Sequence, residues 1–226
     1  MAILDGGSAS LSPTTSVTLP ITTEIIVIVQ KQLQDVTGVT YSASDLIPYM
    51  NLFFAELIGI VPSAYNVTED IELVAGARQA FPTETKKLLS VICNISGSVY
   101  VGSAPTILPR STLDTLIPNW QLFTSDKTVL HVIRDEDDSY VFYTFPPQPV
   151  GTDQKLRMIL SMLPAEIEDQ SDDFPLEESY KLPCINYMLY LALREETTIP
   201  NALNKANMCL EMFYKELGVE MTQQKK

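Results

Sequence analysis

Histidine occurs once in this 226-residue chain, at His131, and tryptophan once, at Trp120. One imidazole cannot supply the two or more histidines of the common catalytic zinc sites. No GxSxG stretch offers it a nucleophilic serine either. The three cysteines, Cys93, Cys184 and Cys209, are far apart and odd in number. They imply neither a metal-ligand pair nor a disulfide framework. No phosphate-binding glycine loop, CxxC, HExxH or EF-hand pattern is present. Long apolar runs are missing too: "IIVIV" at 25–29 is far too short to cross a bilayer. No basic residue precedes a long apolar run at the N-terminus, so a secretory signal is not expected. The sequons at Asn66 and Asn94 are accordingly not expected to carry glycans. Catalytic, cofactor-binding and metal-binding residues are expected to be none, and the protein is not expected to be an enzyme.

Positive charge is also scarce. Fifteen Lys and Arg face 28 Asp and Glu, a formal charge of −13. That balance argues against a general binder of nucleic acid or anionic membrane, whose affinity needs cations set against phosphates. What is present suits a folded protein: 46% hydrophobic and 19% charged residues, enough for one large domain or two small ones. The acid is unevenly spread. Between Asp135 and Glu178 stand twelve acids and two bases, Lys155 and Arg157, so that segment holds −10 of the −13. It is expected to decorate one face or rim.

Four of those acids, Asp135, Glu136, Asp137 and Asp138, are consecutive and follow His131 closely. Consecutive carboxylates alternate sides in a strand and fan out in a turn, whereas a hard cation needs oxygens that converge. Flanked by the β-rich runs "TVLHVI" and "SYVFYTF", they read as a hairpin loop. As an exposed turn, all four are expected to be dispensable for the fold. "SYVFYTF" is apolar or aromatic on both faces and must be buried on both, within the chain or against a neighbour.

The fold class expected is α+β: a mostly helical bundle built from N- and C-terminal helix pairs, with a β-rich middle subdomain. Residues 1–20, small, hydroxylated and proline-punctuated, read as a flexible N-terminal arm. Residues 21–62 hold a helical pair. The first helix is capped by Thr23, carries Ile25, Ile26, Val29 and Leu33 at helical spacing, and runs towards Gly38. Its β-branched content means that packing, not propensity, must hold it. In the second, Ser42 and Asp45 have capping-box spacing. Pro48 should force a start at Ser44 or a bend. Residues 63–165 form the β-rich subdomain, with strands in "VTEDIELVAG", either side of Gly97, and over Lys155–Met162. A short helix at Thr112–Leu116, capped by Ser111 or Thr112, interrupts them. Residues 166–218 return to helices. One has Leu182, Ile185, Leu189, Ala192 and Leu193 on its core face, with Pro183 kinking it or resetting its start. The last has Pro200 at its first position and Phe213 and Leu217 in the core, closed by Gly218. Residues 219–226 are a polar tail.

Four stretches in this order resemble the head–tail connector (portal adaptor) proteins of bacteriophages, in particular short-tailed phages. "ITTEIIVIVQKQLQDVTGVTYSASDLIPYMNLFFAELIGIVPSAY" resembles their first two helices, including the Asn of the second and a closing Pro. "AGARQAFPTETKKLLSVICNI" resembles their G-x-x-Q-x-x-P turn and the strand after it that ends in Asn. "LDTLIPNW" followed by "VFYTFPPQP" resembles a recurring Pro-x-Trp and a strand ending in Pro-Pro. The last helix closes the pattern with Phe213, Leu217 and Gly218. The match spans roughly 21–218, although Pro48 and the loop "EETTIP" depart from the pattern.

The resemblance implies a structural virion protein of the neck, synthesised in the host cytoplasm. It would be a homo-oligomer, a dodecameric ring joining the portal protein to tail (nozzle or tail-tube) proteins. Genomic DNA would pass through its channel during ejection without specific binding; no cofactor and no membrane are implied. The segment 1–20 or 218–226 would dock on the portal. Part of the acidic segment would line the channel or its tail-side mouth. The other reading is a phage tail-completion or assembly factor without a DNA channel.

Overall fold

The computed structural model describes residues 20–219, apart from 136, 139, 152 and 197–199. The expected arm therefore lies outside the described residues up to position 19, and the tail from position 220. Two helices come first, α1 (Ile21–Gln32) and α2 (Ala43–Ile60), and two come last, α4 (Lys181–Glu195) and α5 (Ala202–Glu216). Between them run β1 (Asn66–Glu72), β2 (Gly76–Ala80), β3 (Thr85–Ser96), β4 (Val99–Val101) and β5 (Thr106–Pro109). A short helix α3 (Arg110–Leu116) is followed by β6 (His131–Arg134), β7 (Val141–Gln148) and β8 (Gln154–Met162). The fold is α+β with a β-rich middle.

Helix ends follow local chemistry more closely than apolar spacing. α1 is capped by Pro20, not Thr23, whose hydroxyl instead donates to the Gln170 carbonyl at 2.6 Å. It stops well before Gly38 because Gln34 takes the left-handed conformation. The Gln34 and Asp35 amides then close back on Lys31 and Gln30. α2 has the expected capping box between Ser42 and Asp45. Pro48 neither breaks it nor moves its start to Ser44. Ser44 and Pro48 are both exposed, so water can satisfy the carbonyl that the ring deprives of its donor. α3 begins after Pro109 without a side-chain cap. In α4 the proline resets the start: Pro183 is the third helical residue, where an amide would be unpaired anyway. Leu182, expected in the core, is exposed, being the second residue of that first turn. α5 begins at Ala202 after Asn201 in the left-handed conformation, so Pro200 precedes the helix by two residues.

The four long helices share one core, with Ile25, Val29, Met50, Phe53, Cys184, Met188 and Phe213 among its fully buried side chains. Phe213 lies edge-on to Phe53 at 6.2 Å and against Tyr187 at 5.0 Å. Leu217 is partly buried against the same core. The strands form two four-stranded sheets, ordered β1-β8-β3-β4 and β2-β7-β6-β5. All neighbours are antiparallel except β5 and β6. Leu88, Leu156, Met158 and Leu160 of the first sheet share a cluster with Val132 and Phe142 of the second. The opposite face of the second sheet packs Ile133 and Phe145 under Leu113 of α3 and Trp120. From Val141 to Phe145 the stretch "SYVFYTF" is thus covered on both faces within the chain, whereas Tyr140 is 62% exposed.

Three amide side chains fix the irregular segments. The Asn94 amide donates to the Val129 carbonyl and its oxygen accepts from the Val129 amide, both at 2.9 Å. Asn51 does the same to Ile167, both at 3.0 Å. Gln79 does it to Val74, both at 2.8 Å. Each amide satisfies a donor and an acceptor that would otherwise be orphaned in a loop.

Two substitutions separate the contributions of apolar packing and of this grip. Phe213→Ala should cost about 3–5 kcal/mol through lost burial and a residual cavity. Asn94→Ala should cost about 1–3 kcal/mol for each Val129 group left unpaired. Denaturant unfolding monitored by Trp120 fluorescence measures both, and an Asn94→Ala midpoint equal to the parent's would refute the second.

Candidate functional site

Asp135, Asp137 and Asp138 do lie between hairpin strands, since β6 and β7 pair antiparallel with His131 opposite Phe145. His131 is structural here: Nδ1 lies 2.6 Å from the Thr106 hydroxyl and the ring stacks on Phe145 at 5.9 Å. Among the described residues no three His, Cys, Asp or Glu side chains converge to hold a metal. Glu136 lies outside the described residues. Asp135 departs from the exposed turn that is expected, for its side chain is only 8% exposed. It accepts from Arg110 at 3.1 Å, from the Tyr143 hydroxyl at 3.2 Å and from the Asp137 amide at 3.1 Å. These bonds, the Asp137 amide foremost, hold its carboxyl below the ordinary carboxylate range against partial desolvation. It locks α3 to the hairpin. The Asp138 carboxylate accepts from the Tyr140 amide at 3.0 Å.

The features with assembly potential are surfaces. On β3 the register slips between Thr85 and Lys87, so three residues face Met162 and Ser161 of β8. Such a bulge re-aims side chains, and Lys86 and Lys87 both line the same two hollows. One, of about 360 Å³, is walled by Ala55, Ile58, Gly59, Pro62 and Leu163. The other, about 130 Å³, is walled by Phe81, Leu88, Val141, Arg134 and Asp135. Lys86, Lys87 and Arg134 are exposed and form no ion pair among the described residues.

A second surface is the connection from β8 to α4. Ile167, Phe174 and Leu176 bury themselves in the helical core, the Asn51 grip holds Ile167, and Thr23 holds Gln170. Asp172 accepts from the amides of Glu168 and Asp169, both at 2.9 Å. Left outside are Glu166, Glu168, Asp173, Glu177 and Glu178, exposed and without ion pairs among the described residues. Exposed apolar side chains complete the picture: Leu122 (85% exposed) and Phe123 beyond Trp120, and Met208 with Met212 one turn apart on α5.

A model of the family described as SU10 adaptor protein matches residues 22–226. The chain belongs to the SU10 adaptor protein family. This bears out at family level the resemblance to phage head–tail adaptors. No curated protein matches the sequence. Among solved structures, a chain in the neck of an empty GTA particle computed with C6 symmetry is similar to it at 11% identity. The alignment covers 87% of this chain and 91% of that one, with a TM-score of 0.27.

In this adaptor-family chain the residues carrying the resemblance have structural jobs. Asn51, Gln79 and Asn94 are the three amide grips, and Trp120 donates its indole N–H to Asp114 at 2.7 Å beneath the second sheet. The resemblance implied packing for Trp120 and no role for the three amides. Sequence reading missed the Lys86–Lys87 groove, although adjacent lysines in so acidic a chain were a usable signal. No helix among the described residues is long and apolar enough to cross a membrane.

Asp135→Asn should lower stability by about 1–2 kcal/mol at neutral pH, whereas Asp137→Asn and Asp138→Asn should stay within about 0.5 kcal/mol. Because the folded carboxyl titrates below its ordinary 3.8, its contribution is full above about pH 4 and is lost as pH falls through the folded value. The gap between the urea midpoints of the parent and Asp135→Asn should therefore begin to narrow as pH falls below the ordinary 3.8. A constant gap between them would contradict the charge-based account.

Proposed function

We propose that this adaptor-family protein is a structural component of a phage virion neck. It forms a homo-oligomeric, dodecameric ring that joins the portal protein to tail proteins, and genomic DNA passes through its channel. The observation that carries the reading is the family match over residues 22–226, with Asn51, Gln79, Asn94 and Trp120 fixing the fold. Each of these residues stabilises a scaffold; none is poised for chemistry, and we read the protein as non-catalytic. The formal charge of −13 supports a conduit more than a grip, since each neutralised phosphate adds salt-sensitive affinity. The segment 1–20 or 218–226 docks on the portal, where ordering a short peptide on a partner joins two rings at modest cost.

Native mass spectrometry of the purified full chain, alone and with its portal, tests this reading. A twelvefold particle of about 300 kDa, twelve times the 25.2 kDa chain, is expected, with a further species containing the portal ring. Deleting residues 2–18 or 219–226 should leave the fold intact, and one of the two deletions should remove the portal-bound species. A chain that stays monomeric with its portal present would contradict the proposal.

A further inference from the structure

We infer that the groove holding Lys86, Lys87 and Arg134 receives the acidic β8–α4 connection of a second copy of this chain. The inference rests on the ring reading above and names the contact that closes it. Chains each carrying −13 repel one another, and a contact that sets a basic patch against an acidic one offsets that repulsion. The bulge in β3 sets two unpaired lysines side by side, with Arg134 completing the wall. Asp135 in that wall is already paired with Arg110. Glu84 precedes the lysines and stands beside the neighbouring hollow that Glu166 also lines. The same two lysines also line the separate hollow walled by Ala55, Ile58, Gly59 and Pro62, which sets apolar surface beside the cations.

The acidic partner surface is equally well formed. Glu166, Glu168 and Asp173 project from a connection held by the Asn51 grip, by Thr23 and by buried Phe174 and Leu176. Little ordering is left for association to impose. Among the described residues no ion pair joins connection to groove within one chain, which leaves both surfaces to a neighbour. Two different patches allow a contact that repeats head-to-tail from copy to copy, the kind that closes rings when the rotation fits. The assignment moves Glu166, Glu168 and Asp173 out of the channel lining that the family resemblance implied for part of the acidic segment.

Charge reversal on the full chain tests it by sedimentation velocity at low salt. Lys86→Glu with Lys87→Glu and Arg134→Glu should weaken self-assembly by about tenfold or more. Glu166→Lys with Glu168→Lys and Asp173→Lys should do the same. Carrying all six substitutions in one chain should restore assembly. The neutral set Lys86→Gln, Lys87→Gln and Arg134→Gln, checked by circular dichroism, guards against misfolding and should weaken assembly to a smaller degree. If the parent assembles and the reversed variants assemble equally well, the pairing is overturned while the ring stands. A six-fold variant that stays as weak as either triple also overturns it. A parent that never self-associates overturns both.

Discussion

The two-bond grip of Asn94 on Val129 ties the first sheet to the segment that feeds the second, and Asn51 and Gln79 repeat it elsewhere. A primary amide offers a donor and an acceptor side by side, so it can imitate one rung of a strand ladder. Asn94 is buried on β3, and Val129 is 1% exposed. Unpaired peptide groups there would cost more than a lost surface contact. Without these grips, the apolar clusters would lack the connections that bring one sheet over the other and the acidic connection onto the helices.

The consequence for function lies in what is left outside. Because Asn51 fixes Ile167, the acids on either side of it stand on a held loop and not a loose one. Because β3 bulges at Lys86, two cations share one groove where regular pleating would send them to opposite faces. Both surfaces arise from devices that hold the fold. A structural protein needs this economy, since its activity is to present shapes and charges at fixed positions to its neighbours.

Much of this was legible in the residues. The capping box of Ser42 and Asp45, the alternation from Lys155 to Met162 and the hairpin around Asp135 follow from local rules. The stripe ending in Phe213 does too. Strands β2 and β5 were not legible: "GARQA" and "TILP" are short and lack alternation, and only their pairing with β7 and β6 makes them strands. The errors at the end of α1 and the start of α5 share a cause. Gln34 and Asn201 adopt left-handed conformations that apolar spacing does not encode. Asp135 looked like its neighbours because what distinguishes it, Arg110 and Tyr143, is brought in by α3 and β7. Lys86 and Lys87 belong to the same class, since a bulge is visible only against its partner strand.

The most direct test of the central claim, that this chain is an adaptor between portal and tail, is a cryo-electron microscopy reconstruction of the virion neck. The account predicts a ring of copies of this fold directly below the portal. The connection at 166–173 of each copy should lie against Lys86, Lys87 and Arg134 of the next, with an open central channel. A neck in which this chain is absent, or present as single copies away from the axis, would contradict it.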